Sequence, residues 1–348
     1  MIKKIVFVLL YPFAVLYNLI TSIRNLLFDL KLFKSFEPDV FSVGVGNLTV
    51  GGTGKTPVTD FLISFLAENK VGVISRGYGR STRGFIELKE ASAAAEVGDE
   101  PKMLFDRHRN STKFFVSESR VGGYLKAVSQ YPETNLFIFD DVYQHRHFKP
   151  QLMILLNDYN RPFYKDSLLP AGRLRESRSG AKRANIILVT KCPKFSENSE
   201  KRQIIDEIRK YASETASIYF SHFISGDPVN MNGHKLALKQ KIVLISGIAQ
   251  NDQFYRDVAQ KYEIIHHYAY ADHYQYTRDD LEKIPNEHPA FAVVTTEKDF
   301  VKIRDIAPPT FLDKLYFVPL SLKIDKEEDF KSEVLTSFMN HNKIKRAF

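Results

Sequence analysis

The stretch Gly46–Pro57, GNLTVGGTGKTP, restricts what this chain can fold into more than any other part of it. An apolar run, Val40–Val45, leads into it, and Phe61, Leu62, Phe65 and Leu66 follow with the spacing of one helical face, so the context reads strand, glycine-rich loop, helix. Inside it TVGGTGKT, Thr49–Thr56, matches the phosphate loop G-x-x-x-x-G-K-[ST], except that Thr49 holds the place of the first glycine. The other chemical requirements are met. Gly51, Gly52 and Gly54, with Val50 before them and Thr53 among them, let backbone N–H groups approach phosphate. Lys55 neutralises β and γ oxygens, Thr56 offers a hydroxyl to Mg²⁺ at the helix start, and Pro57 sits in the first turn, where a missing N–H costs nothing.

Further short apolar runs at Val71–Ser75, Phe114–Val116, Leu136–Phe139, Leu152–Leu156 and Ile186–Val189 alternate with helical segments. Continuous apolar strands separated by helices predict an α/β fold of the P-loop NTPase type, a mostly parallel sheet with helices on both faces. With 348 residues, 44% of them hydrophobic, two domains are expected. A polar, turn-rich stretch at 225–240, with the hairpin dipeptide Asn232-Gly233, marks a two-stranded ribbon between them. Beyond it, Ile242–Ile245 and Phe291–Thr295 repeat the strand-then-loop grammar of a smaller α/β lobe. The expected division is an N-terminal membrane-associated helix at 1–30, a P-loop lobe at 31–224, the linker at 225–240 and the C-terminal lobe at 241–348.

A phosphate loop needs an acid to hold its metal, and Asp140-Asp141 closes the apolar run Leu136–Phe139. One of the two meets Mg²⁺ directly or through water, and the other supports the attacking group or the metal's surroundings, in either order. Arg76, Arg80 and Arg83, and the basic stretch Arg173, Arg175, Arg178, Lys182 and Arg183 around Glu176, suit phosphate groups on a substrate. Arginines interleaved with tyrosine also suit RNA, but the chain has no nucleic-acid-binding module, so no nucleic acid is expected. Asp99-Glu100-Pro101 opens a helix, where an acid either caps the helix or accepts a hydroxyl proton. His266, His267 and His273 with Asp272 match no zinc spacing, and by spacing alone His273 reads as a surface histidine.

The run Ile5–Ile23 carries no charge and follows Lys3-Lys4, yet Pro12, Asn18, Thr21 and Ser22 weaken it as a spanning helix. It reads as a retained membrane segment, spanning or lying in the interface, because no small-residue cleavage site follows it. Lys and Arg number 49 against 41 Asp and Glu, a net charge of +8, which favours an anionic partner. The single cysteine, Cys192, fits a reducing compartment. Thr190-Lys191 and Thr295–Asp299 loosely match guanine-reading motifs without giving N-K-x-D. The alternatives are therefore a P-loop kinase for another anionic acceptor and a membrane-associated nucleotide switch.

Taken in order, these blocks resemble the tetraacyldisaccharide 4′-kinase family, the lipid A 4′-kinases of Gram-negative envelopes. The resemblance rests on VGNLTVGGTGKTP at Val45–Pro57, SRGYGR at Ser75–Arg80, VGDEP at Val97–Pro101, DDVYQHR at Asp140–Arg146, LLPAGRLRE at Leu168–Glu176, SGIAQ at Ser246–Gln250, ADHYQYT at Ala271–Thr277 and TTEKD at Thr295–Asp299. The threonine-for-glycine phosphate loop is itself like that family. The resemblance implies ATP- and Mg²⁺-dependent phosphorylation of the 4′-hydroxyl of tetraacyldisaccharide 1-phosphate at the cytoplasmic face of the bacterial inner membrane, with the lipid and the membrane surface as partners and no obligate protein partner. It implies that Lys55 and Thr56 serve nucleotide and metal, that Asp140 and Asp141 form the acidic pair, and that Asp99 accepts the proton with His273 orienting it. His145, Arg175 and Glu176 become active-site contacts. Val142 and Tyr143 stand where the family commonly has glycine and phenylalanine, Arg173 replaces a common proline, and Tyr274 follows His273 where a second histidine is frequent. A β-branched Val142 resists positive φ, so a local backbone difference is expected there.

Overall fold

The computed structural model describes residues 2–194 and 197–346; the outer limits of the expected first and last segments, Met1 and Phe348, lie outside them. The apolar runs become strands β1 Phe41–Asn47, β2 Val71–Ser75, β3 Ile86–Glu87, β4 Thr112–Val116, β5 Leu136–Asp140, β6 Leu152–Asp158, β7 Ile186–Thr190 and β8 Ser217–Ser225. With β13, Leu320–Ile324, they form a nine-stranded sheet in the order β13-β8-β7-β6-β1-β5-β2-β4-β3, parallel except at its two edge pairs. β1, β2, β5 and β7 are buried along their whole length, as strands covered on both faces must be. A second, four-stranded parallel sheet, β10-β9-β11-β12, comprises β9 Lys241–Ser246, β10 Glu263–Ala269, β11 Ala292–Thr296 and β12 Leu315–Val318.

The helices are α1 Ile2–Asp29, α2 Lys55–Phe65, α3 Ala94–Val97, α4 Asp99–His108, α5 Arg120–Gln130, α6 Asn198–Arg209, α7 Asn251–Ala259, α8 Arg278–Glu287, α9 Glu297–Arg304, α10 Pro309–Leu312 and α11 Glu327–Arg346. Leu62 and Leu66 of the expected stripe bury against the core of the large sheet, with Phe61 and Phe65 packed at its margin. The large sheet does not end with β8. β13 pairs antiparallel with β8, and α11 then lays Phe330 and Val334 into the same core as β1.

The connection between the sheets combines the turn expected within 225–240 with a second pairing outside it. Asn232-Gly233 does turn, with Gly233 at φ 80 and the Gly233 N–H on the Asn230 carbonyl, and a short antiparallel pair flanks it: Val229 bridges Lys235, Asn230 N–H donates to the His234 carbonyl at 3.0 Å and Leu236 N–H to the Pro228 carbonyl at 2.9 Å. The paired strands that link the sheets are β8 continuing through Val229 and β12 returning into β13, with Val229 and Phe317 exchanging N–H···O bonds at 2.9 and 2.8 Å.

Among the described residues one helix, over Phe7–Asp29 of α1, is long and apolar enough to cross a membrane by length and composition. On one side of it Val8, Leu9, Phe13, Leu16, Leu19 and Ile20 are more than half exposed. Its other side is rooted: the Tyr17 hydroxyl donates to the Arg175 carbonyl at 2.8 Å, and Asn25 Nδ2 donates to Glu176 Oε2 at 2.8 Å.

Candidate active site

β1 lies at the centre of the large sheet between β5 and β6, so the loop after it opens at the carboxyl edge where parallel sheets place ligands. Gly51 and Gly54 adopt φ 104 and 90, conformations that only glycine takes freely, and a Cβ at Gly51 or Gly52 would meet open space. Thr49 shows why this loop dispenses with its first glycine. It is buried in an antiparallel bridge with Leu174, where an ordinary residue fits, and the Val50 N–H donates to the Arg173 carbonyl at 2.8 Å. Asn47 Nδ2 donates to Thr53 Oγ1 at 2.8 Å, closing the loop on its own strand.

Val45 is paired with Asp140, so the acidic pair sits one strand away from the loop. Lys55 Nζ is 3.7 Å from Asp141 Oδ1, and Arg175 Nη1 reaches the same oxygen at 3.2 Å. Burial, the largest effect, pushes the Asp140 carboxyl up to about 6 against the pull of Lys55. At Asp141 burial acts in the same sense, but Lys55, Arg175 and Arg120 together hold it below the ordinary carboxylate value. Two adjacent acids thereby acquire different charge habits. Asp140 Oδ1 is buried with no hydrogen-bond partner, a vacant hard-oxygen donor next to a phosphate loop, which fits Mg²⁺ shared with the Thr56 hydroxyl. The backbone departure expected at Val142 falls one residue earlier: Asp141 takes φ 50, and Val142 is simply buried in an aromatic cluster. Tyr143 donates its hydroxyl to the Gly180 carbonyl at 2.8 Å.

The basic loops divide. Arg175 joins the acidic pair, while Glu176 is fully buried, accepting from Arg183 Nη2 at 2.9 Å and Gln144 Nε2 at 3.2 Å as well as from Asn25. Arg173 is exposed and engages the phosphate loop through its carbonyl. Arg76 is exposed and near enough to Arg120 and His145 to disfavour their charged forms. Arg80 instead turns into its own loop, donating to Gly84 O at 2.6 Å and pairing with Glu118. His145 is pushed down to about 4, chiefly by burial and then by Arg120, so it is neutral at physiological pH. It lines a pocket of about 260 Å³ that also touches Arg24 and Phe28 of α1.

Asp99 and His273 come together from opposite lobes. Asp99 lies buried in the first turn of α4, and His273, at φ 61 in the loop after β10, places Nδ1 3.5 Å from Asp99 Oδ2. That hydrogen bond is the main reason the imidazole stays charged to higher pH than usual. The Tyr78 ring stands 5.5 Å from the His273 ring. Glu100 next door is among the charges that raise Asp140, which ties this pair electrostatically to the phosphate loop.

Four further residues escaped the sequence reading. Arg120, 2% exposed, donates to the carbonyls of Ser117, Asp140 and Asp141 at 2.7, 3.0 and 3.1 Å and braces the turn that presents the acids. Gln144 bridges Arg175 and Glu176 to the Asn47 carbonyl. Lys298 contacts Glu100 at 3.1 Å, and Lys302 spans Asp299 at 2.8 Å and Asp99 at 3.8 Å. A lone arginine opening a helix after an apolar strand was the one available signal for Arg120.

A phosphate loop and an acidic pair at the carboxyl edge of a parallel sheet, with a buried carboxylate held by a half-buried imidazole beside them, define a nucleotide-dependent phosphotransferase of the P-loop class. The family model described as LpxK, tetraacyldisaccharide-1-P 4′-kinase, matches residues 6–339, and the chain belongs to that family. It is 37% identical over 328 residues to the tetraacyldisaccharide 4′-kinase of Cytophaga hutchinsonii, covering 92% of each chain. It is 37% identical over 334 residues to that of Flavobacterium johnsoniae, covering 94% of this chain and 96% of the relative. The crystal structure of LpxK from Aquifex aeolicus in complex with ATP superposes with a TM-score of 0.76 at 25% identity, over 97% of this chain and 100% of that one.

Proposed function

We infer that this protein is a tetraacyldisaccharide 4′-kinase, transferring the γ-phosphoryl group of ATP to the 4′-hydroxyl of tetraacyldisaccharide 1-phosphate and giving lipid IVA in lipid A biosynthesis. The observation that carries the reading is the loop 173–176. One of its residues, Arg175, holds Asp141 of the nucleotide site, while its backbone and Glu176 anchor the apolar helix α1 through Tyr17 and Asn25. Nucleotide chemistry and a lipid-facing helix thus meet on a single loop, as a water-soluble donor and a greasy acceptor require. The need for ATP puts the catalytic lobes on the cytoplasmic face of the inner membrane, with α1 spanning or lying in the bilayer.

Bound Mg²⁺ would supply charge neutralisation at the phosphate oxygens, held by Thr56 with Asp140 and Asp141. The chain's own residues do the rest. The N–H groups of Val50–Gly54 and Lys55 bind the phosphates, and Arg175 keeps Asp141 ionised and in place. Arg76, Arg173 and neutral His145 face the anionic head group. Asp99 takes the proton from the attacking hydroxyl, and His273 orients its carboxylate, so that catalysis is mostly positioning and charge compensation. The test is transfer of ³²P from γ-labelled ATP to tetraacyldisaccharide 1-phosphate in detergent with Mg²⁺. Labelled bisphosphorylated lipid from wild type and none from Lys55→Ala is the expected result; no transfer by wild type beside an active control kinase overturns it.

A further inference from the structure

The phosphate loop is gripped on both sides, and the grip on its far side has no place in the chemistry above. β6 lies beside β1 and β7 beside β6, so the carboxyl ends of those strands flank the loop. Thr190, the last residue of β7, donates its hydroxyl to the Thr53 carbonyl at 2.7 Å. Lys191 follows at φ 60 and directs its ammonium to the Gly52 carbonyl and to Asp158 Oδ2, the latter at 2.7 Å. The Lys191 and Asp158 side chains are only 16% and 9% exposed.

A trans peptide is planar, with its C=O and N–H on opposite sides. Fixing the Gly52 carbonyl on Lys191 and the Thr53 carbonyl on Thr190 therefore turns the N–H groups of Thr53 and Gly54 to the other side of the chain, away from the strand ends. A loop with three glycines among four residues has large conformational freedom of its own, which phosphate binding would have to freeze. A non-glycine residue keeps a left-handed conformation only where its surroundings over-determine it, and at Lys191 the over-determining contacts are Asp158 and the loop itself.

We propose that Lys191, held by Asp158 and assisted by Thr190, is a positioning residue that pre-orders the phosphate loop for nucleotide without touching the reacting atoms. This rests on the reading of Gly51–Thr56 as the nucleotide site. Lys191→Met keeps the apolar stem and removes the ammonium; Lys191→Arg keeps donors for both acceptors. The full-length protein in detergent is titrated with mant-ATP, and KM for ATP and for lipid are measured alongside the melting temperature. Losing a hydrogen bond from a charged donor predicts Kd for mant-ATP and KM for ATP raised about 10- to 100-fold in Lys191→Met, with KM for lipid changed by less than about twofold. Lys191→Arg returns both to within about threefold of wild type.

Nucleotide affinity within about twofold of wild type in a folded Lys191→Met overturns the proposal. So does a loss that lowers lipid and nucleotide binding alike and is not recovered by arginine, since that is the mark of a merely structural ion pair. If Lys191→Met does not fold, Thr190→Val decides: weaker mant-ATP binding with unchanged KM for lipid supports the inference, and unchanged mant-ATP binding overturns it. Lys55→Ala separates the two levels, because normal mant-ATP binding by that variant removes the nucleotide site itself from this loop.

Discussion

His273 Nδ1 meets Asp99 Oδ2 at 3.5 Å across the cleft, the histidine carried by the loop after β10 of the small sheet and the aspartate by α4 above the large one. The contact exists only while the two lobes keep their present spacing. Lys302 of α9 joins both sides of it, lying 3.8 Å from Asp99 and donating to the Tyr274 carbonyl, one residue past His273, at 3.0 Å.

A residue that moves the acceptor's proton should be felt in turnover rather than in nucleotide binding. Asp99→Asn is expected to lower kcat by about 10²- to 10⁴-fold while leaving KM for ATP within about threefold of wild type. Steady-state assays with each substrate varied in turn check this, and a matched rise in KM for ATP with unchanged kcat would remove Asp99 from the proton transfer.

The same pair makes stability depend on pH with a definite sign. The folded value of His273 is raised by its hydrogen bond to Asp99, so the stabilisation is complete below the free-histidine value of about 6.5 and disappears as pH rises through the folded value. Wild type should accordingly melt above His273→Ala at pH 6, with the gap closing by pH 8.5. Paired thermal melts at the two pH values test it; a gap that widens with pH contradicts the assignment.

Asp140 shifts in the same direction from a different cause, and its shift is a cost at neutral pH rather than a gain at low pH. Burial raises its folded value from 3.8 to about 6, so the folded state binds the extra proton and loses stability as pH climbs from about 4 to about 6. Without metal or nucleotide, Asp140→Asn is expected to be more stable than wild type at pH 7.5 by on the order of 2 kcal/mol, and to lose the advantage at pH 4. Urea unfolding in EDTA measures the difference. The same variant should be nearly inactive, the exchange of stability for function typical of a strained site.

Arg120 has three carbonyl acceptors and almost no solvent contact, and burial brings it down to about 10 with Asp141 and Asp140 opposing, so it is still cationic at neutral pH. Arg120→Met leaves those carbonyls unpaired and is expected to cost about 2–4 kcal/mol in urea unfolding, with a loss of kcat as the Asp140–Asp141 turn loosens. Unchanged stability would mean that the turn holds itself.

What the sequence displayed was whatever is decided within a few residues. The strand, loop and helix around Gly51–Thr56, the acids at the end of β5 and the small parallel sheet could be read because periodicity and glycine placement are local. The second strand of the link could not, since β8 at Ser217–Ser225 finds its partner only at Leu320–Ile324. Arg120 and Lys302 were missed for the same reason: each matters through contacts made across the fold, and neither stands in a recognisable spacing. By spacing alone His273 read as an ordinary surface histidine, and only the family resemblance paired it with Asp99, because the left-handed backbone that turns it there leaves no mark in the spacing.

The return of β13 and α11 to the large sheet has a consequence for synthesis. The edge strand that completes the nucleotide-binding sheet, and the helix whose Phe338 ring packs edge-on against Phe41 of β1 at 5.4 Å, leave the ribosome after every other strand of that sheet and after the whole small sheet. An N-terminal fragment that already contains the phosphate loop, the acidic pair and the whole small sheet still emerges with β8 open along one side, an unpaired edge able to pair with another nascent copy. Residues 320–346 therefore close a sheet whose first strand was made at residue 41, and a chain cut at 319 should fail in the sheet that carries the phosphate loop.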